Sequence, residues 1–259
     1  MDLNFAANLS FLFTELPFPE RFGAAARAGF RGVEFLFPYD YAPEDIASMV
    51  QNAGVTLALY NLPPGDWAAG ERGMAAIPGR QDAFKASVET ALRYGAATGV
   101  TQMHIMAGCV RDADRAAAEE VYLENLSHAA RRFGDAGVVA LIEPINTTDM
   151  PGYFLNTPSE ACRLIDAVGA PNLRLQFDCY HAQIMCGDAL TALDNSYEKI
   201  SHIQIASVPD RHEPDHGTCN YNAVFARLNA LDYAGWIGCE YRPMGQTNAG
   251  LAWFKRHAE

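Results

Sequence analysis

The sequence predicts an α/β protein, a single-domain (β/α)8 TIM barrel over residues 1–259. Three observations predict it. Short apolar runs alternate with longer amphipathic segments from end to end, the pattern of repeated strand–helix units. Eight such runs can be counted, and eight parallel strands joined by helices close on themselves. The first run is not followed by G-x-G-x-x-G, so the rival doubly wound open sheet lacks its dinucleotide-binding turn.

The first strand is expected at Leu3–Leu9, followed by a helix in "PERFGAAARAG", where Phe22, Ala25 and Ala26 repeat at helical spacing and Gly29 closes the segment. Gly32–Phe37 forms the second strand. The helix after it, "APEDIASMVQNAG", carries Pro43 in its first turn and Gly54 at its end, each where a helix tolerates it best. Strand three, Thr56–Asn61, runs into the Pro- and Gly-rich segment Asn61–Arg80, "NLPPGDWAAGERGMAAIPGR", expected as a loop or lid on the carboxyl face. Gln102–Met106 is the fourth strand, and a long polar helix is expected over Ala113–Ala136. Val138–Glu143 is the fifth: its apolar residues, Val138–Ile142, suit a strand buried on both faces, yet it ends on an acid before Pro144. "TPSEACRLIDAVG" opens with the capping signature Thr157-Pro158-Ser159-Glu160. The last strands are Leu173–Asp178, Ser201–Ile205 and Trp236–Glu240, with a second long connection, Ser207–Asn220, after the seventh.

Composition narrows the function. The net charge is −12 with no Lys/Arg block, so no nucleic-acid partner is expected. No apolar run approaches the ~18 residues a membrane helix needs, and "MDLNFAANLS" lacks the basic region and apolar core of a secretory leader, so the expectation is a cytoplasmic protein with no membrane partner. The six cysteines stand singly without a CxxC pair, so neither a zinc ribbon nor a redox motif is indicated, and most are expected as reduced thiols in or near the core. The composition is compatible with assembly into a homo-oligomer.

Four consecutive strands end on oxygen donors: Glu143, Asp178, Gln204 and Glu240, separated by 35, 26 and 36 residues. One barrel unit is roughly 31 residues in a chain of ~250, so the four sit at similar heights on neighbouring strands. Buried carboxylates facing one another cost several kcal/mol each unless compensated. A divalent cation compensates them, and an all-oxygen set favours Mg²⁺ or Mn²⁺. His181, three residues beyond Asp178 on an expected short helical turn, is placed to touch substrate or the metal shell. His202, two residues before Gln204, faces the same side deeper in the barrel. Arg211 and Glu213 follow in the next loop, Arg211 within reach of an anion at the metal and Glu213 behind it.

"GFRGVEFLFPYDY", the Asn61–Arg80 segment, "LIEPIN", "FDCYH", "HIQIA" and "GWIGCEYRP" together resemble the hydroxypyruvate isomerase family, within the sugar isomerase, epimerase and endonuclease-IV-like TIM barrels. The resemblance runs over nearly the whole chain. It implies interconversion of hydroxypyruvate and tartronate semialdehyde (2-hydroxy-3-oxopropanoate), with two glutamates exchanging a proton at a metal-bound enediol. Residue by residue, Glu143 in "IEP" and Glu240 in "CEY" match the proton donor/acceptors, and Glu143, Asp178, Gln204 and Glu240 match the metal ligands. Where bacterial members carry Lys-Thr-Pro after the fourth strand, this chain has "MAGCVRDADR". The related four-carbon 2-oxo-tetronate isomerases share the metal-site pattern, so the expected partner is a small anionic 2-oxo acid of three or four carbons. Its carboxylate needs a cation, with Arg211 the first candidate and Arg72 the second. A sugar 3-epimerase on the same barrel is the alternative, and is expected to carry a His in place of Gln204. A multi-zinc nuclease needs many histidines and a basic face, which seven histidines and a charge of −12 do not provide.

Overall fold

A computed structural model describes residues 3–257. The order is β1 (Asn4–Asn8), α1 (Phe18–Arg27), β2 (Gly32–Phe35), α2 (Pro43–Ala53), β3 (Thr56–Asn61), α3 (Gln81–Thr98), β4 (Gln102–His104), α4 (Arg115–Asp135) and β5 (Val139–Ile142). It continues with α5 (Pro158–Val168), β6 (Leu173–Asp178), α6 (Cys179–Cys186), α7 (Ala189–Ser196), β7 (Ile200–Ile205), α8 (Tyr221–Ala230), β8 (Trp236–Cys239) and α9 (Ala252–His257). The eight strands pair in parallel in sequence order, and β8 returns to β1, so the barrel is closed.

All eight expected strands form, and several stop early for identifiable reasons. β5 ends before Glu143 because Pro144 has no N–H to continue a ladder. β2 ends at Phe35 because the Leu36 N–H goes to the Ser10 hydroxyl at 2.9 Å instead of a neighbouring strand. A 3₁₀ turn at Asp112–Asp114 delays α4, expected from Ala113, until Arg115. Beyond Asp178 the chain forms two helices, α6 and α7, where only a short helical turn is expected around His181.

Local signals hold the helices. Thr157 Oγ1 accepts from Glu160 N at 3.3 Å, with Pro158 in the first turn of α5. Gly54 ends α2 at φ +66°, a conformation an L side chain resists. Phe5 on β1 meets Phe225, Trp253 and Phe254 edge-on at 5.6, 5.6 and 5.7 Å, which seats α8 and α9 on the barrel. All six cysteines are free; Cys179, Cys219 and Cys239 are buried and Cys162 half-buried, as expected of most of them, while Cys109 and Cys186 are exposed. No helix among the described residues is long and apolar enough to cross a membrane.

Because strand side chains alternate, residues two apart share a face. Gln176 and Asp178 on β6, His202 and Gln204 on β7, and Gln102 and His104 on β4 form such pairs, and all six are buried. Register sets Gln176 beside His202, Asp178 beside Gln204, and Gln204 beside Gly238.

Two long loops cover the carboxyl end. In Asn61–Arg80, Ala76 N donates to Ala107 O at 2.7 Å, and the Glu71 carboxylate binds both Asp66 N and Arg80. Gly73 is needed there, since a Cβ would lie 2.3 Å from Met106 O. The tip presents Trp67, with Arg72 stacked 3.9 Å from its ring centroid. The Ser207–Asn220 loop folds back on itself, Arg211 N donating to Ser207 O at 2.9 Å, and clips to the β8 end through Arg242 N to Arg211 O at 2.7 Å.

Candidate active site

A cleft of about 470 Å³ opens at the carboxyl end of the barrel, with Glu143, Gln176, His181, Arg211 and Glu240 among its lining residues. Ligand atoms of Glu143, Asp178 and His181 lie within 4.8 Å of one another, and all three residues are buried. Asp178 Oδ1 accepts from Tyr180 N at 2.7 Å, while its Oδ2 is buried with no hydrogen-bond partner among the described residues. A buried carboxylate oxygen without a protein partner beside a second buried acid is the kind of donor a divalent cation satisfies, and oxygen–cation distances of roughly 2.0–2.6 Å suit that spacing. The donor set therefore fits a divalent cation.

Around this centre, hydrogen bonds lock each group. Gln176 Nε2 donates to Glu143 Oε2 at 3.0 Å and to Gln204 Oε1 at 2.7 Å. Gln204 Nε2 donates to Glu240 Oε2 at 2.7 Å and to Glu34 Oε1 at 2.8 Å. His181 Nδ1 takes a hydrogen from Asn146 Nδ2 at 2.7 Å, because the Asn146 carbonyl is already committed to Thr148 N and Asp149 N. Its proton therefore sits on Nε2, 3.7 Å from Glu143 Oε1 and 3.6 Å from Asp178 Oδ2. The two carboxylates supply oxygens for a cation, and the imidazole faces the site as an N–H donor.

Arg211 is the cation of the cluster. Its Nη2 lies 2.5 Å from Glu240 Oε1 and 3.9 Å from Asp178 Oδ2, and its guanidinium sits between the Phe11 and Tyr180 rings at 5.1 and 4.9 Å. The residue has φ +56°, an unfavourable conformation for a non-glycine that the loop's backbone bonds enforce.

Burial dominates the acid–base character. It pushes Glu143 well above the usual carboxylate range, with Glu240 and Asp178 adding repulsion. It raises Glu240 to about 8 and Asp178 to about 6, in both cases against the pull of Arg211. Burial also drives His181 well below the usual imidazole range and His104 to about 3, so both are neutral. An acid raised in the folded state contributes stability at low pH that is lost as pH rises through the folded value. The cation-free protein should therefore lose stability as pH climbs from about 4 to about 8. A bound divalent cation takes over from those protons, so its stabilisation should be larger at pH 8 than at pH 5.5, by on the order of 5 °C in Tm. Thermal melts with chelator or with millimolar cation at both pH values measure this; an equal shift at the two would contradict it.

The structure brings Glu143, Asp178, Gln204, Glu240, His181 and Arg211 together through the contacts described above. Arg72 lines the mouth of the same cleft, its Nη1 held by Trp67 O at 3.0 Å and Glu71 O at 2.8 Å. His202 is fully buried below the cleft, Nε2 2.7 Å from Glu34 Oε2. Glu213 is buried but turned to the β8 loop, where both its oxygens lie 3.3 Å from Met244 N. Sequence reasoning missed Asn8, Glu34, His104, Asn146 and Gln176. Two of these carry a usable signal: Gln176 is two residues before Asp178, and Glu34 is an acid inside the apolar run "GVEFLF".

The family profile described as "Xylose isomerase-like TIM barrel" matches residues 22–257. The chain belongs to this family. Among its relatives is a 2-oxo-tetronate isomerase of Cupriavidus necator, 52% identical over 252 residues that cover 97% of each chain. The hydroxypyruvate isomerase of Escherichia coli is 44% identical, covering 97% of this chain and 98% of its own. A crystal structure described as AP endonuclease, family 2 from Brucella melitensis superposes with a TM-score of 0.97 at 50% identity, over 100% of both chains.

Proposed function

We propose that this chain is a cation-dependent isomerase that interconverts hydroxypyruvate and tartronate semialdehyde. The observation that carries the reading is the pair of buried glutamates, Glu143 and Glu240, flanking the orphaned Asp178 oxygen with Arg211 beside them. Two family members bearing isomerase names at 52% and 44% identity support it. A four-carbon 2-oxo-tetronate is the second reading, favoured by the higher identity to the Cupriavidus protein and by a cleft of about 470 Å³, roomy for a three-carbon acid.

Glu143, Asp178, Gln204 and Glu240 would hold the ion, and four oxygen donors favour Mg²⁺ or Mn²⁺. When bound, the ion lowers the proton affinity of its carboxylates and stabilises negative charge developing on the substrate oxygens. The protein does the rest. One glutamate takes the hydrogen from the hydroxyl-bearing carbon as a proton, and the other delivers a proton to the former carbonyl carbon. The hydroxyl proton moves in turn from one oxygen to the other, so the reaction is an isomerisation without net gain or loss. His181 Nε2–H is directed at a substrate oxygen, and Arg211 receives the substrate carboxylate. The loop bearing Trp67 and Arg72 screens the cleft from water.

A nuclease reading has little support. The chain carries a charge of −12, and among the described residues a single group of three or more His, Cys, Asp or Glu side chains is spaced for a metal.

The test is to incubate the protein with Mg²⁺ or Mn²⁺ in D₂O, with hydroxypyruvate and then with a panel of 2-oxo-tetronates, following products by NMR. We expect turnover with deuterium on the newly protonated carbon. No turnover of any of these acids sinks the reading. Turnover that fully retains the original hydrogen replaces exchange at two glutamates with an internal transfer.

A further inference from the structure

Below the two glutamates lies a further buried acid that the reaction itself does not use. Glu34 on β2 is 0% exposed. Its Oε1 accepts from Asn8 Nδ2 at 3.0 Å and from Gln204 Nε2 at 2.8 Å, and its Oε2 lies 2.7 Å from His202 Nε2. Each of those two amides spends its second hydrogen on Glu240 Oε2, at 2.9 Å from Asn8 and 2.7 Å from Gln204. Two NH₂ groups thus form parallel rungs between Glu34 and Glu240. An amide nitrogen donates twice and accepts nothing, so an amide flanked by two acids cannot be turned over without setting oxygen against oxygen. The effect falls on the other end of Gln204: its carbonyl has to face away from Glu34, toward Gln176, which lines the cleft.

Two further features serve the same acid. Gln102 Nε2 lies 3.0 Å from His202 Nδ1, and Gln102 Oε1 is taken by Ser201 Oγ at 3.2 Å, so His202 keeps its proton on Nε2 for Glu34. Gly238 stands beside Gln204 in the barrel register, and a Cβ there would come within 2.3 Å of Glu34 Oε1 and 2.4 Å of Oε2. Its backbone does not require glycine; the space is kept for the acid.

We infer that Glu34 is a positioning residue for the cation site, setting which end of the Gln204 amide faces that site and steadying Glu240 through the Asn8 and Gln204 rungs. The inference rests on the cation site proposed above. Glu34→Gln keeps the shape but turns an NH₂ toward donors. Calorimetric titration with Mn²⁺, without substrate, should show affinity about 10- to 100-fold weaker than wild type, the range typical when a partner of a metal ligand is removed. Because the larger part of the effect runs through Gln204, with Asn8 as the remaining rung, the same change made on a Gln204→Leu background should cost several-fold less than in the wild type, a non-additivity that mere loss of packing would not produce. Gly238→Ala, which displaces the Glu34 carboxylate without altering it, should weaken Mn²⁺ as well, and carries the test if Glu34→Gln does not fold. Undiminished Mn²⁺ affinity in Glu34→Gln, or additive losses in the double variant, overturns the inference alone. A wild type that binds no Mn²⁺ overturns the cation reading and this inference with it.

Discussion

Glu143→Gln and Glu240→Gln should each lower turnover by about 10³-fold, because an amide keeps the volume of the side chain and one oxygen but accepts no proton at neutral pH. The two variants should differ in a second respect. Glu143 Oε2 receives one hydrogen bond, from Gln176 at 3.0 Å, so a glutamine there can present its oxygen to that donor and leave the NH₂ free. Glu240 has donors on both oxygens: Arg211 at 2.5 Å on one, Asn8 and Gln204 at 2.9 and 2.7 Å on the other. A glutamine at 240 must set its NH₂ against another donor, which leaves a buried polar group unsatisfied. Glu240→Gln should therefore also lose cation affinity and melt at a lower temperature, whereas Glu143→Gln should keep more of both. Metal content measured beside turnover separates lost chemistry from lost cation. A variant that keeps its cation and near-normal turnover shows that its glutamate is a ligand alone, and that the other passes one proton between adjacent carbons.

The parts of this site legible in sequence are those at strand ends, where an acid interrupts an apolar run. Glu143 before Pro144 and Glu240 after "WIGC" announce themselves because nothing in strand packing wants a carboxylate there. The ladder that holds them is less visible. Gln176 is a neutral amide in mid-strand whose role comes from the adjacent strands that bring Glu143 and Gln204 to its NH₂, and Asn8 ends a strand where a polar residue is ordinary; its importance comes from closure of the barrel, which sets β1 beside β8 and brings Asn8 to Glu240 across 232 positions. Glu34 gave the same signal as Glu143, an acid in an apolar strand, but one residue inside the strand end and facing inward. The tautomer of His181 depends on Asn146, whose orientation is fixed by a turn that sequence spacing does not disclose. Fold class was more accessible because strand–helix alternation is a property of the whole chain, while the exact strand ends depended on single competing donors such as Ser10.

Arg211→Ala should lower kcat/KM by about 10²–10³-fold, mainly through KM, the scale expected when one partner of a buried, hydrogen-bonded charge pair is removed. Two effects combine. The substrate carboxylate loses its guanidinium, and Glu240 and Asp178 lose the group that pulls their proton affinities down. With Arg211 gone, both acids hold their protons to higher pH, so the base form is less populated at any given pH and the acid limb of the pH–rate profile should move upward. Arg211→Lys separates the two effects. An ammonium retains the charge beside Glu240, and so most of the profile, but it lacks the planar fork for a carboxylate and the stacking between Phe11 and Tyr180 seen at 5.1 and 4.9 Å. The lysine variant should thus show a raised KM with a nearly unshifted acid limb. If Arg211→Ala instead shifts the profile and leaves KM unchanged, Arg211 serves the acids alone, and recognition of the substrate carboxylate passes to Arg72, whose guanidinium is held over Trp67 at the mouth of the cleft by carbonyl groups.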